Sequence, residues 1–305
     1  MTRTMIGIAE LEAGLIEDLV DRADNLEQKL SSGLRRLGGL EGILITTAFF
    51  EPSTRTRLSF ETAGRWLGAE VLTFNPATSS TVKGESLEDT ARTLASIGTD
   101  LFVVRHTDDS APSRFADASD RPVISGGAGI TTHPTQTLAD LLTIRRYFGR
   151  IEGLRIGIVG DVAHSRVAAG LISALPRLGA LLHLIGPPRL LPGPADAATL
   201  ARTHELDPSL PELDVVYLLR VQVERGTDTG YRSEEEYAAD YGMTMARVGS
   251  LPAGAVVMHP GPMIRGVEIS DEVADHPRCL ATRQVAMGVP ARMAAMLWCL
   301  GGETR

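Results

Sequence analysis

Gly42-Ile43-Leu44-Ile45-Thr46-Thr47-Ala48-Phe49-Phe50-Glu51-Pro52-Ser53-Thr54-Arg55-Thr56-Arg57 is the stretch on which the reading of this chain turns. Its first nine residues form a mostly apolar run of strand length. A run of that kind, rather than strict polar alternation, suits a strand covered on both faces. The character then changes abruptly. Glu51 to Arg57 are polar, and beyond them Phe60, Ala63 and Leu67 recur at helical spacing with Trp66 beside them. A buried strand thus runs through a charged, hydroxyl-rich turn into a helix.

The same alternation extends outward in both directions. Residues 70–75 read as a second strand. A helix begins at Ser86, which makes a capping-box pattern with Asp89 and carries Leu87, Ala91, Leu94 and Ala95 on its apolar face. Residues 100–105 and 122–125 are short strands. Pro134 opens a helix that turns Leu138, Leu141 and Leu142 inward and stops at Gly149. Next come a strand at 155–160, a helix at 165–178, a strand at 181–186 and a loop rich in Pro and Gly from Pro187 to Pro194. A strand at 214–219, a polar helix at 233–241, a strand at 255–259 and a helix from Gln284 to Leu300 complete the chain. Pro290 is expected to kink or break that last helix. Apolar strands separated by helices imply an α/β fold with parallel sheets. With 305 residues and about 150 per domain, the expectation is two doubly wound parallel-sheet domains hinged within the helix at 134–149.

Composition excludes several classes of function. The chain is 43% hydrophobic and 22% charged, which suits a globular protein with sizeable cores. Its formal charge of −8 opposes general nucleic-acid binding, although a local basic pocket can still hold an anion. Apolar runs such as 254–258 are far shorter than the about 20 residues a membrane span needs, and the N-terminal residues lack a signal-peptide core, so no membrane role is expected. Cys279 and Cys299 form no C-x-x-C pair and fit a reduced, cytoplasmic chain. Seven histidines without paired metal-ligand spacing imply no metal. There is no G-x-x-x-x-G-K-[ST] and no G-x-G-x-x-G after the strand at 155–160, so no nucleotide cofactor is expected, and no G-x-S-x-G, so no nucleophilic triad is expected.

The polar clusters follow strands. Ser53 to Arg57 open a helix, Arg105 and His106 follow the strand that begins at residue 100, and His133-Pro134-Thr135-Gln136 begin another helix. Asp161, His164, Ser165 and Arg166 follow the strand at 155–160; Arg220 and Gln222 follow 214–219; His259-Pro260-Gly261-Pro262 follow 255–258. Ligands of open parallel sheets bind outside the carboxyl ends of the strands. A helix N-terminus offers free N–H groups and partial positive charge, so Ser53 to Arg57 make a cradle suited to phosphate. The bland alternative is a capped helix with solvated arginines.

Ser53-Thr54-Arg55-Thr56-Arg57 with His133-Pro134-Thr135-Gln136 resembles the carbamoyl-phosphate signature of the aspartate/ornithine carbamoyltransferase family. Ser79 to Ser86 resemble that family's mobile loop, and 160–166, 219–222 and 259–263 resemble its aspartate branch. The ornithine branch's His-Cys-Leu-Pro motif and Ser-Met-Gly segment are not found. The resemblance implies a carbamoyl-phosphate domain over 1–135 completed by a C-terminal helix at 286–305, an aspartate domain over 146–285, a linking helix at 136–145, and an active site in the cleft between the domains. It further implies that Ser53, Thr54, Arg55, Thr56 and Arg105 hold the phosphate, with Ser79 and Lys83 donated by an adjacent chain of a homotrimer. Thr56, Arg105 and His133 would polarise the carbamoyl oxygen, so that Arg55, Thr56, Arg105 and His133 form the catalytic set. Gln136 and the Pro260 carbonyl, with Gly261 beside it, would orient the amide nitrogen. Arg166, Arg220 and Gln222, together with Lys83, would hold L-aspartate. The implied reaction gives N-carbamoyl-L-aspartate and phosphate, a step of de novo pyrimidine biosynthesis, without a cofactor. It is compatible with a regulatory chain or a dihydroorotase as further partner.

The chain departs from the pattern at three places. Ala128 stands where the family commonly has an acidic residue, Ile264 where asparagine is common, and Pro290 within a helix. These leave two alternatives: a paralogue acting on another amino-acid acceptor, or a non-catalytic homologue serving as an assembly partner. From residue type alone, Lys83 could be a solvated charge and His133 a residue beside a helix start, while His106, His164 and His259 read as structural.

Overall fold

The computed structural model describes residues 3–193, 201–221 and 230–302. Nine strands and ten α-helices are named in chain order. They run α1 (Ala13–Ser31), β1 (Leu44–Phe49), α2 (Thr54–Trp66), β2 (Glu70–Phe74), α3 (Leu87–Ser96), β3 (Leu101–His106), α4 (Ala111–Ser119), β4 (Val123–Ala128) and α5 (Pro134–Phe148). The second half follows with β5 (Arg155–Val159), α6 (Arg166–Ala174), β6 (Leu181–Ile185), β7 (Ala201–Thr203), β8 (Val215–Leu218), α7 (Glu234–Tyr241), α8 (Met245–Ser250), β9 (Val256–Met258), α9 (Asp271–Ala274) and α10 (Ala281–Leu300). Among the described residues no helix is long and apolar enough to cross a membrane.

The chain divides into two compact units, 1–142 with 285–305, and 143–284. The divisions fall inside α5 and inside α10. The first unit holds a parallel sheet of order β2-β1-β3-β4, and the second a parallel sheet of order β7-β6-β5-β8-β9. In each, the first strand is central and its successors lie on opposite sides, which is the doubly wound arrangement. Register aligns Phe49 with Arg105 across β1 and β3, and Val159 with Leu218 across β5 and β8.

Burial explains the elements. Strands β1, β3 and β4 are closed to solvent almost throughout, as their mostly apolar runs suggest. Phe102 and Phe115 pack edge to face at 4.9 Å in the core between β3 and α4. Burying side chains of this size contributes about 1.5–3 kcal/mol each. The second unit's core gathers Leu213, Val216, Tyr237, Tyr241, Val257 and Ile269. Arg278 holds the end of α8 there, donating to the carbonyls of Ala255 (2.6 Å), Val248 (3.1 Å) and Pro252 (2.6 Å).

Several elements differ from the sequence reading. Helix α1 goes unread there, although Ile16, Leu19, Val20, Ala23, Leu26 and Leu30 carry a clear helical stripe and are buried. Helices α4, α8 and α9 and the three-residue strand β7 are likewise additional. The helix expected over 165–178 ends at Ala174, because Pro176 cannot continue it; Pro176–Leu178 form a 3₁₀ turn instead. Helix α10 starts at Ala281 and continues through Pro290 without a break. Pro290 forfeits one backbone donor, yet Ala291, Met293, Ala294, Ala295, Met296 and Leu297 are buried, and that packing holds the helix from outside.

Candidate active site

The sheet order defines where ligands meet the first unit. The chain leaves β1 toward β2 on one side and later enters β3 on the other, so the crevice between the ends of β1 and β3 is a topological switch point. The turn 51–53 and the start of α2 follow β1, and Arg105 and His106 end β3. Phe50 N–H donates to the Arg105 carbonyl at 2.8 Å, which binds the two strand ends together.

Ser53 is the N-cap of α2 in extended conformation, but its hydroxyl makes no capping bond. The caps Ser86, Ser165, Ser233, Thr244 and Ser270 accept from their helices, whereas Ser110 of α4, like Ser53, does not. At α2, therefore, the hydroxyl and the first N–H groups remain for an anion. Thr54 and Arg55 are exposed beside them, while Thr56 is buried and lies 3.4 Å from His133 Nε2. Arg57 sits one turn on and pairs with Glu61 at 3.7 Å.

Arg105 is buried and held from two directions, donating to Glu51 Oε1 at 3.0 Å and to the Gly126 carbonyl at 3.2 Å. Gly126 suits this approach, because a Cβ there would lie 3.2 Å from Phe49 and 3.5 Å from the Arg105 Cβ. His106 packs its ring on Phe50 at 5.3 Å and accepts the Asp108 N–H at Nδ1, and burial lowers its pKa. Gln136 lies in the first turn of α5, three residues after His133, and donates from Nε2 to Asp140 at 3.0 Å.

The structure thus places Ser53, Thr54, Arg55 and Thr56 at the start of α2, Arg105 on β3, and His133 and Gln136 at the start of α5, all in one unit. Ser79 and Lys83 lie elsewhere, on two 3₁₀ turns between β2 and α3. The Ser79 hydroxyl donates to Pro76 at 2.9 Å and lies 2.8 Å from Thr81, while Lys83 is exposed and makes no bond among the described residues. Ala128 is fully buried in β4, and the turn beyond it receives a carboxylate from another loop: Asp109 accepts the Thr131 N–H at 3.1 Å and its hydroxyl.

The second unit has its switch point between β5 and β8. Gly160 makes the turn after β5 with φ of 115°, and a Cβ there would come within 3.0 Å of the Leu219 carbonyl. Asp161 accepts from both the backbone and the ring of His164, at 3.2 and 2.8 Å, and Ser165 caps α6. Arg166 is the first residue of α6 and Arg220 follows β8; both are half-buried. Gln222 lies outside the described residues.

After β9, His259 organises the loop that contains Pro260 and Gly261. Its backbone N–H donates to Gln284 at 2.8 Å. The Gly261 N–H donates to its Nδ1 at 2.8 Å, so the ring proton sits on Nε2 and is donated to Glu268 at 3.1 Å. Glu268 also accepts the Ile264 N–H at 2.6 Å. Both His259 and Glu268 are about 1% exposed. The bond at Ile264 comes from its backbone, and its side chain packs on the apolar core, so an asparagine amide is not needed there. Sequence reading places Glu51 in the polar turn without giving it a role, and misses Asp109, Asp140, Glu268 and Arg292. Only Asp140 carries a local signal, four residues from Gln136 on one helix face. The others are brought in by the fold.

The chain matches two family models, the aspartate/ornithine carbamoyltransferase carbamoyl-P binding domain over residues 3–146 and the Asp/Orn binding domain over residues 152–299. It is 45% identical over 308 residues to the aspartate carbamoyltransferase catalytic subunit of Salinispora tropica, covering 100% of each chain. The catalytic subunit of M. jannaschii aspartate transcarbamoylase superposes with a TM-score of 0.88 at 34% identity, covering 99% of this chain and 98% of that one. Trypanosoma cruzi aspartate transcarbamoylase, in complex with carbamoyl phosphate and aspartate, gives 0.87 at 32% identity, covering 97% and 96%.

Proposed function

The chain belongs to the aspartate/ornithine carbamoyltransferase family, and from that premise we propose that it transfers the carbamoyl group of carbamoyl phosphate to the α-amine of L-aspartate. The observation that carries this reading is the uncapped start of α2 at a sheet switch point, with Arg105 fixed on the neighbouring strand and Thr56 against His133. Ser53, Thr54, Arg55, Thr56 and Arg105 hold the phosphate. Thr56, Arg105 and His133 donate to the carbamoyl oxygen, and Gln136 with the Pro260 carbonyl accepts from its NH2 group. Arg166, Arg220 and Gln222 take the two carboxylates of aspartate.

The amine nitrogen attacks the carbonyl carbon, and the developing oxyanion is met by donors already in place. The C–O bond to phosphate then breaks, its electron pair leaves with phosphate, and the departing phosphate takes the amine proton. Positioning and electrostatic preorganisation account for the rate, each oxyanion donor being worth about 2.7–4 kcal/mol in such sites.

This reading includes a cytoplasmic homotrimer serving pyrimidine synthesis, in which Ser79 and Lys83 of one chain complete the site of the next. The exposure of Lys83 on its loop supports that part. Two experiments test the proposal. Product formation is measured with carbamoyl phosphate and either L-aspartate or L-ornithine, following the ureido product as well as phosphate. Ureido product with aspartate alone is expected; none from a folded oligomer sinks the reading. Separately, inactive Lys83→Ala trimers mixed under subunit exchange with inactive Arg55→Ala trimers should regain activity. Mixed trimers without activity would refute shared sites.

A further inference from the structure

Gln136 and Asp140 stand one turn apart on one face of α5, with Gln136 Nε2 3.0 Å from Asp140 Oδ1. A glutamine amide can present either its oxygen or its NH2 group to a ligand, and nothing in its own chemistry chooses. An ionised carboxylate only accepts, so a neighbouring Asp140 takes the NH2 group and turns Oε1 the other way. We propose that Asp140 is a positioning residue that fixes which end of the Gln136 amide meets the substrate, and thereby makes the site select carbamoyl phosphate over acyl phosphates without an NH2 group. This rests on the assignment of Gln136 to the carbamoyl group made above.

The surroundings of Asp140 supply a countercharge. Asp140 is entirely buried, and the fold supplies a positive charge to match it in Arg292 of α10, itself closed to solvent. The Arg292 guanidinium lies 5.1 Å over the Phe60 ring of α2 and makes no hydrogen bond through Nε. Burial pulls its pKa down to about 10, with the Asp140 charge acting against that shift, so it stays cationic at neutral pH. Gly288, one turn earlier on α10, leaves the space it needs: a Cβ there would collide with Arg292 Nη1. A glycine gap and an aromatic face are thus arranged around one guanidinium, whose charge acts on Asp140. Apolar residues could fill the same volume without burying two charges, so packing alone does not account for the group.

The consequence concerns recognition. A carbamoyl NH2 group needs acceptors, and Gln136 Oε1 is one. Acetyl phosphate carries a methyl group at that position and leaves the acceptor unpaired. If the Gln136 amide turned over, its NH2 would face the substrate NH2, donor against donor.

The test compares carbamoyl phosphate with acetyl phosphate, the latter read both as co-substrate with L-aspartate and as a competitor of carbamoyl phosphate. In Asp140→Asn the new amide can donate to Gln136 Oε1 and release the opposite orientation. The expected result is a fall of about 10- to 100-fold in kcat/KM for carbamoyl phosphate, with acetyl phosphate changed by less than about threefold, so that the preference collapses. Leu141→Ala, a core truncation on the same helix, should lower both together. An unchanged preference in Asp140→Asn, or an equal loss for both phosphates, overturns the inference. Should that variant fail to assemble, Asp140→Ser, smaller and also able to donate, is read in the same way. A wild-type protein that forms no ureido product would refute the carbamoyl-transfer reading; one that forms it, with the preference intact in the variant, refutes only the role of Asp140.

Discussion

The two units build their candidate sites differently. In the first, several side chains proposed to meet the ligand are themselves locked: Arg105 by Glu51 and the Gly126 carbonyl, Gln136 by Asp140, and Thr56 against His133. In the second, the bonds that stand out brace the backbone behind the proposed ligand groups. His259 and Glu268 hold the backbone of the Pro260 loop, Asp161 holds His164, and Arg278 gathers three carbonyls beneath. A cradle for a small, highly charged anion gains from fixed donors, because their reorganisation is avoided at the moment of reaction. A loop that offers a backbone carbonyl needs its chain path fixed, and buried polar groups behind it do that.

This contrast is open to attack, and the largest effect is expected at Arg105. Arg105→Ala removes a locked donor and leaves Glu51 without that cation. A loss of about 100- to 1000-fold in kcat is expected, with near-native circular dichroism. A loss below tenfold would show that locking in the first unit has no catalytic use.

Glu268→Ala comes next. It strips the acceptor from a buried His259 Nε2–H and from the Ile264 N–H, and the Pro260 loop loses its brace. The KM for carbamoyl phosphate should rise about tenfold, with kcat changed less. Steady-state kinetics showing the reverse, a fall in kcat at constant KM, would make Glu268 part of the chemistry and erase the distinction between the units.

Arg278→Met probes scaffolding alone. Three carbonyls lose a charged donor, which should cost about 1.5–3 kcal/mol and appear as a lowered urea midpoint, with activity retained where the protein is folded.

The smallest effect concerns pH in the first unit. Burial lowers the His106 pKa, so the unfolded chain binds the proton more readily than the folded one. The stability due to neutral His106 is complete above the unfolded value of about 6.5 and declines as pH falls below it toward the lowered folded value. Protonation would also place a hydrogen on Nδ1, which accepts the Asp108 N–H. Thermal midpoints measured between pH 7 and 5 should drop less in His106→Asn than in the native chain.

Much of this site could be read from the chain. The strand from which the reading starts is β1 within two residues at one end and one at the other, and the hydroxyl and arginine run after it opens α2. His133 and Gln136 are placed correctly at the start of α5. What escaped has particular causes. Helix α1 had a readable stripe. Strand β7 is three residues long, too short for a two-residue period to declare itself. Pro290 misleads because local propensity forbids what buried packing on α10 permits.

The sequence by itself determined the alternation of elements, the turns on which charge is concentrated and the residue types able to hold an anion. All of these depend on periodicity and on chemistry within a few residues. Only the tertiary structure decided that β3 lies beside β1 and β8 beside β5, and so which turns share a crevice. It alone brought Glu51 to Arg105 across 54 positions and set Arg292 over Phe60. Strand order and buried charge balance arise from contacts between distant segments, whose free energy appears only once the whole core has formed, and no local pattern records them.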